Sequence, residues 1–189
     1  MMKTTCSHTG IEHCQHSAAT PTEVLREEHE VILRALAVLE RLSGELAAEK
    51  PVNPDSVQWL ANFFRTFADR CHHAKEEKLL FPALERHGVP KEGGPVGVML
   101  MEHEQGRALV RTFAAGDPPT AAQAMRSFVV LLRDHIAKEN EILFPIADRV
   151  LPAPEQKTIL EAFEAAECEL GGPELHRQFL EELAQLESK

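Results

Sequence analysis

The order of apolar and polar residues along the chain predicts a series of amphipathic helices. Between residues 20 and 48, apolar side chains recur every three or four positions, which places them along one face of an α-helix. The members of that face are Leu25, Ile32, Leu36, Leu39 and Leu42, with His29 in the same stripe. The spacing continues over residues 54–87, 96–115 and 120–150, and short segments rich in proline and glycine separate the four stretches. We therefore predict an all-α protein built on an antiparallel up-down four-helix bundle.

Capping sequences mark the start of two predicted helices. Thr20-Pro21-Thr22-Glu23 combines a capping threonine, a proline at the first helical position and a glutamate at the third. Asn53-Pro54 repeats the polar cap followed by proline. Pro82 and Pro145 lie inside predicted helices, and because proline has no N–H and crowds the preceding turn, we expect a kink at each.

The C-terminal part of the chain shows a weaker helical period. Residues 155–170 and 174–186 form two such stretches, and Gly171-Gly172-Pro173 separates them. We expect one or two additional helices that lie along the bundle, cover one end of it or form a dimer contact. The predicted organisation is a flexible tail (residues 1–19), the bundle (20–151) and a C-terminal helical extension (152–189), as a monomer or homodimer.

The second and fourth predicted helices carry the same motif. Residues 135–146 share seven of twelve identities with residues 72–83, and each copy ends in Leu-Phe-Pro and one further residue. In both copies a histidine precedes a glutamate by four positions, so the two side chains lie on one face of the helix. The pairs are His72 with Glu76 and His135 with Glu139. Two such pairs facing each other can hold metal ions.

A neighbouring histidine and glutamate offer a competing register. His73 and Glu77 have the same four-residue spacing, about 100° further around an α-helix. Both pairs cannot point squarely at the same centre, and the repeat selects His72 and Glu76.

Lone histidines on the first and third helices extend the repeat. Glu28-His29-Glu30 and Glu102-His103-Glu104 each precede one copy of the motif. A single His-x-x-x-Glu pair is more often a solvent-exposed pair that contributes only about 0.2–0.5 kcal/mol. Duplication, together with histidines on apolar stripes where an unpaired imidazole is costly, favours a metal site instead.

The candidate ligands are His29, His72, Glu76, His103, His135 and Glu139. Four histidines and two carboxylates exceed the four ligands of a structural zinc ion and include no thiolate. Six ligands shared by two octahedral ions leave room for an oxo or hydroxo bridge and for a small exogenous ligand. Two iron ions are the expected cofactor, with manganese or zinc as substitutes.

Charge and composition narrow the range of partners. Thirty acidic and 20 basic residues give a formal net charge of -10, which disfavours binding to nucleic acid or to an anionic membrane. Four scattered cysteines and an N-terminus without an apolar leader predict a cytoplasmic protein. The tail also contains Cys6, His8, His13, Cys14 and His16, whose spacing fits no standard zinc site.

The combined motifs resemble those of the hemerythrin-like family, also called histidine-histidine-glutamate cation-binding proteins. The similarity spans Glu23 to about Pro145, and it includes the Glu-His-Glu and His-x-x-Lys-Glu-x-x-x-Leu-Phe-Pro sequences. It implies a non-haem di-iron centre in which the four histidines are terminal ligands and Glu76 and Glu139 bridge the ions. It further implies oxygen binding or sensing, nitric oxide or peroxide chemistry, or iron sensing.

One position departs from the oxygen-carrying members of that family. Those proteins have a histidine four residues after the histidine of the third helix, and here Arg107 occupies that position. The site therefore has an open coordination position, or His73 or Glu77 fills it. Arg107 could hydrogen-bond a bound anion, or pair with Glu104 or Glu28.

We therefore expect the centre to bind and react with a small oxidant, namely hydrogen peroxide, oxygen or nitric oxide. Candidate activities are catalase-like decomposition of peroxide and reduction of a diatomic molecule. The alternatives are oxygen or iron binding or sensing without turnover, and a structural bundle with adventitious metal. We expect His87 and His176 to be surface residues, and Cys71 and Cys168 to be ordinary core or half-buried residues.

Overall fold

The computed structural model describes residues 20–188, which form six helices and no strand. The helices are α1 (Pro21–Ala47), α2 (residues 54–86), α3 (Pro95–Ala115), α4 (residues 118–150), α5 (Ala153–Glu169) and α6 (Gly172–Glu187). The expected all-helical fold is confirmed. The cysteines and histidines of the N-terminal tail lie outside the described residues.

Polar caps fix where the long helices begin. The Thr20 hydroxyl accepts a hydrogen bond from the Glu23 backbone at 3.2 Å, and the Glu23 carboxylate accepts one from the Thr20 backbone at 2.6 Å. Both halves of the expected capping box are thus present. Helix α4 begins at Pro118, two residues before the expected start, because the Asp117 side chain caps it by accepting from the Thr120 backbone.

Helices α2 and α4 change to π-helix where they carry the repeated motif. In α2 the π-helical segments are Phe64–His73 and Glu76–Leu80, and in α4 the segment is Glu139–Leu143. Pro82 and Pro145, where we predicted kinks, each follow such a segment by two residues. A π-helical turn bonds residue i to i+5, so it rotates the following side chains relative to an α-helix, and such turns occur often at functional sites.

Two apolar clusters fill the interior at different levels along the helices. One contains Phe64, Phe67, Phe128 and Ile136, and the other contains Leu25, Phe81, Met99 and Phe144, among further residues. Each of α1 to α4 contributes to both clusters, and the candidate metal ligands lie at the change from one cluster to the other, with Ile136 of the first cluster directly after His135. Along the chain, α1 and α3 pass from the second cluster to the first, and α2 and α4 pass back.

The C-terminal helices bury their apolar faces against this interior. Ile159 and Phe163 of α5 belong to the cluster around Phe81, and Phe179 and Leu183 of α6 belong to the cluster around Phe64. The sequence left three arrangements open for these helices. In the structure they pack along the core. None of the described helices is long and apolar enough to span a bilayer.

Candidate metal centre

All six candidate ligands lie together in the interior, between the two apolar clusters. Helix α1 supplies His29, α2 supplies His72 and Glu76, α3 supplies His103, and α4 supplies His135 and Glu139. None of them has more than 1% of its surface exposed. The four helices thus bring side chains that are up to 110 residues apart into one buried polar site.

The site divides into two overlapping groups of potential ligands. The three-histidine group consists of His73, Glu76, His103 and His135, and the two-histidine group consists of His29, His72, Glu76 and Glu139. Within each group, one nitrogen or oxygen atom per residue lies within 4.8 Å of all the others. Glu76 belongs to both groups, so the two are directly adjacent.

Both carboxylates lie between an imidazole of one group and an imidazole of the other. The Oε1 atom of Glu76 is 3.7 Å from His72 Nε2, and its Oε2 atom is 3.4 Å from His103 Nε2. Glu139 Oε2 is 3.2 Å from His29 Nε2 and 3.3 Å from His135 Nε2. Carboxylates in this position can connect two metal ions.

The unpaired polar atoms of the site match the needs of metal ions. Seven buried atoms of the described chain lack a properly oriented hydrogen-bond partner: His29 Nε2, His72 Nε2, His73 Nδ1, and both carboxylate oxygens of Glu76 and Glu139. Leaving one such atom unpaired costs about 1–3 kcal/mol, so seven in one place need a partner. The spacing also fits, because His103 Nε2 and His135 Nε2 are 3.1 Å apart, and two bonds of about 2.1 Å at right angles give about 3.0 Å.

The second ring nitrogen of each of the four candidate histidines, Nδ1, is hydrogen-bonded to a protein oxygen. The pairs are His29 with Asn140 (2.9 Å), His72 with Glu28 (2.9 Å), His103 with Glu77 (2.7 Å) and His135 with Glu102 (3.0 Å), all through Nδ1. A hydrogen bond at Nδ1 orients the ring and leaves Nε2 free to bind a metal ion. Sequence reasoning missed these oxygens, although the repeated Glu-His pairs at residues 28–29 and 102–103 contained the signal.

Protons compete with metal ions for the same nitrogen atoms. Burial alone would lower the pKa of His29 and His103, but Glu139 and Glu76 beside them raise it above the ordinary value, for His103 to about 9. Burial would likewise raise the pKa of Glu139, but His135 and His29 hold it at about 2. Where His29 or His103 carries a proton on Nε2, metal binding at that nitrogen must release it.

Comparison with known proteins identifies the family. The family model described as hemerythrin HHE cation binding domain matches residues 20–147, which covers α1 to α3 and most of α4. The chain belongs to the hemerythrin HHE family.

Relatives of this hemerythrin-family chain include proteins with and without a described role. An uncharacterized protein of Mycobacterium tuberculosis is 28% identical over 183 residues, covering 92% of this chain and 71% of its own length. The iron-sulfur cluster repair protein YtfE of Escherichia coli O157:H7 is 29% identical over 148 residues, covering 71% of this chain and 60% of its own length. No solved structure gave a significant match.

The hemerythrin-family centre contains a histidine outside the six candidate ligands. His73 lies in the three-histidine group, with its ring stacked on that of His103 at a centroid distance of 3.8 Å. Of the two residues that could fill the position left by Arg107, the structure thus brings His73 to the centre, and the neighbouring residues His72 and His73 face the two different groups. Burial and the positive charge of neighbouring histidines and Arg107 hold the pKa of His73 well below its ordinary value, which leaves a neutral ring able to bind metal.

Arg107, in contrast, is occupied by carboxylates beside the centre. It donates hydrogen bonds to Asp69 (2.8 Å), Glu77 (2.7 Å) and Glu104 (2.7 Å). The expected pairing with Glu104 is confirmed, and that with Glu28 is wrong. Glu77 joins neither ligand group; its pKa, which burial alone would raise, lies below the ordinary value because His103 and Arg107 donate to it.

A polar cluster behind His72 corrects one further expectation. His176 is half-buried and not a surface residue, with its Nε2 atom 3.5 Å from Cys71 Sγ. Beside them the buried Lys75 ammonium donates to Glu28 at 2.5 Å and to Glu167. Burial raises the pKa of Cys71 to about 12, so its thiol stays protonated and the cluster orients His72 through Glu28.

Two remaining residues lie at the surface. Cys168 is exposed, where we expected a core or half-buried residue. His87 is exposed as expected, but it pairs with Glu155 at 2.5 Å.

Proposed function

We propose that this hemerythrin-family chain is a non-haem di-iron protein that binds and reacts with a small oxidant, namely hydrogen peroxide, oxygen or nitric oxide. The observation that carries the proposal is the set of seven unpaired buried nitrogen and oxygen atoms around Glu76 and Glu139. One ion would be held by the three-histidine group and the other by the two-histidine group, with both glutamates between them. We further propose that α1 to α4 form an antiparallel up-down bundle around this site, which is supported by the alternating directions in which successive helices pass between the two apolar clusters.

The side chains of this chain prepare the site for such chemistry. Two adjacent iron ions, when bound, supply a Lewis-acidic position and electrons for the reduction of a small oxidant. The two apolar clusters exclude bulk water above and below the ligands. The acceptors at Nδ1 fix each ring, and the sequence has no tyrosine that could be oxidised or bind iron as phenolate. The cytoplasm, where thiols remain reduced, is the proposed location.

The test is peroxide consumption by the protein loaded with a known amount of iron. We expect turnover faster than that of the same concentration of free iron, and loss of it in Glu139→Ala. Activity no greater than free iron, together with a reversible oxygenated spectrum, would favour oxygen binding instead. Neither activity nor such a spectrum would favour an iron or oxygen sensor.

A second candidate function is favoured by the Escherichia coli relatives named as iron-sulfur cluster repair proteins. Their similarity to this chain covers 56–60% of their own length, so repair is a proposal for this chain. We expect the iron-loaded protein to restore activity to an enzyme whose iron-sulfur cluster has been damaged by peroxide or nitric oxide. Equal recovery with free iron would argue against this function.

A further inference from the structure

A cleft beside the metal centre has no role in the function proposed above. It lies between α2 and α3, has a volume of about 240 Å³ and reaches Phe128 of α4. Because a water molecule takes about 30 Å³ of liquid volume, the cleft has room for roughly eight waters. That is far more than a two-atom oxidant needs, and it leaves room for a small organic molecule.

The inner end of the cleft is formed by the metal centre itself. His73 lines it, and His73 is 6% exposed, whereas His29, His72, His103 and His135 are 0–1% exposed. The Nδ1 atom of His73 is buried without a hydrogen-bond partner and lies 3.6 Å from Asp69. A molecule in the cleft would therefore contact the three-histidine group.

Apolar residues form the wall of the cleft, and a glycine keeps it open. Phe64 and Phe128 pack edge to face with ring centroids 4.8 Å apart, and Val110 lies beside them. At Gly106, in the middle of α3, a Cβ atom would lie 3.4 Å from the Phe128 ring. Glycine inside a helix is destabilising relative to alanine, and here its missing side chain leaves the space that the cleft occupies.

The rim of the cleft carries positive charge that the described chain does not neutralise. Arg65 and Arg111 are exposed, line the cleft from opposite helices and form no ion pair with any described residue. Asp69, the carboxylate in the lining, is already paired with Arg107 at 2.7 Å. In a chain of net charge -10, two such guanidinium groups at one apolar cleft are a local site for an anion.

We infer that this cleft binds a small aromatic or branched aliphatic carboxylate. The carboxylate group binds Arg65 and Arg111, and the apolar body packs on Phe64 and Phe128 with its end against His73. This binding depends on the cleft and not on turnover at the metal centre, so the inference stands apart from the proposed oxidant chemistry.

The experiment is isothermal titration of the purified full-length chain with benzoate, and with benzyl alcohol as the uncharged analogue. We expect saturable benzoate binding that weakens at least tenfold in Arg65→Gln/Arg111→Gln, with the binding of benzyl alcohol unchanged. Arg126→Gln, on the exposed face of α4 outside the cleft, is the matched control and should bind benzoate like the parent.

Gly106→Leu fills the cleft and should abolish binding of both compounds, with helicity and thermal midpoint measured to show that the variant is folded. The double arginine variant tests the same cleft without changing its packing. The inference is overturned if the parent shows no saturable benzoate binding. It is equally overturned if benzoate affinity is unchanged in both the arginine and the glycine variants, because the binding would then lie elsewhere.

Discussion

His29 and His72, from the hairpin of α1 and α2, occupy one half of the metal centre, and His103 and His135, from α3 and α4, occupy the other. The two halves use the same parts in the same order. In each hairpin, the glutamate directly before the histidine of the first helix is hydrogen-bonded to the histidine of the second helix. Glu28 orients His72 in this way. The residue directly after the candidate glutamate ligand of one hairpin is hydrogen-bonded to the first histidine of the other hairpin. Asn140, which follows Glu139, orients His29 in this way.

The halves differ at three positions. His73 follows His72, whereas the buried apolar Ile136 follows His135. His103 is oriented by the carboxylate of Glu77, whereas His29 is oriented by the amide of Asn140. The third difference lies in the two lysines, Lys75 beside Glu28 and Lys138 beside Glu102.

Those lysines have very different surroundings. Lys75 is 1% exposed because Glu167 of α5 covers it, whereas the side chain of Lys138 is 37% exposed and pairs only with Glu102 among the described residues. One ion would thus have three imidazoles, with carboxylate acceptors behind His103 and His135. The other would have two imidazoles, with an amide behind His29 and the lysine-paired Glu28 behind His72. From this comparison we expect two bound ions to be inequivalent, with different affinities and different access.

The largest expected effect comes from removing the carboxylates that the halves share. Glu76→Ala and Glu139→Ala should each lose most bound metal, because each carboxylate lies next to an imidazole of both groups. At a hundredfold excess of metal over its dissociation constant, bound metal stabilises the fold by about 2.7 kcal/mol per site, so variants that lose both ions lose about 5.4 kcal/mol. Iron content and thermal midpoint with and without metal are the measurements. Glu141→Ala, an exposed residue on α4, is the control, and normal iron stoichiometry in both test variants would refute the ligand assignment.

Next in size is the contrast between the two lysines. Lys75→Met leaves the Glu28 carboxylate buried without its ammonium partner, which costs about 3–5 kcal/mol of unfolding free energy. Lys138→Met breaks a partly exposed pair and should cost about 0–1 kcal/mol. Urea unfolding of the two variants in parallel measures the difference, and equal losses would mean that α5 does not bury Lys75.

The two lysine variants should also differ in their sensitivity to acid. Burial would raise the pKa of Glu28, but His72 and Lys75 lower it from 4.5 to about 2. Because the folded pKa lies below the unfolded value, this stabilisation is complete above about pH 4.5 and is lost as the pH falls towards 2. In Lys75→Met the pKa rises, so acid unfolding should begin at a higher pH than in the parent or in Lys138→Met.

A third test makes the halves alike by removing the additional histidine. His73→Ile copies the second half and deletes one imidazole from the three-histidine group only. We expect one of the two ions to bind about 100-fold more weakly, roughly 2.7 kcal/mol, while the other is retained. Chelator competition followed by metal analysis resolves the two steps. Unchanged affinity for both ions would show that His73 is not a ligand, and His72→Ala provides the comparison for loss from the other group.

Sequence periodicity was sufficient to predict the helices and to predict that six buried residues meet at one site. The stripe of Leu25, His29 and Ile32 has the period of an α-helix and is buried as expected. The repeat could not place His73, because Ile136 occupies the matching position and residue spacing does not show that α2 faces two adjacent ligand groups. The contact of Lys75 with Glu167 was also out of reach, since it depends on how α5 packs against α2.

The smallest effect concerns the acceptors at Nδ1. Glu77→Gln gives His103 a neutral acceptor like the one that Asn140 gives His29, and Asn140→Asp gives His29 an anionic one. A carboxylate makes the ring a stronger metal ligand, and removing such a partner typically costs about 10–100-fold in metal affinity. We expect the lower end, about tenfold, in Glu77→Gln because Gln can still accept the hydrogen bond, and a gain of similar size in Asn140→Asp. Since Arg107 also loses a charged partner in Glu77→Gln, Glu104→Gln serves as the control for weakening the arginine alone. Metal affinities that move together in Glu77→Gln and Glu104→Gln would assign the effect to Arg107 and not to the ring of His103.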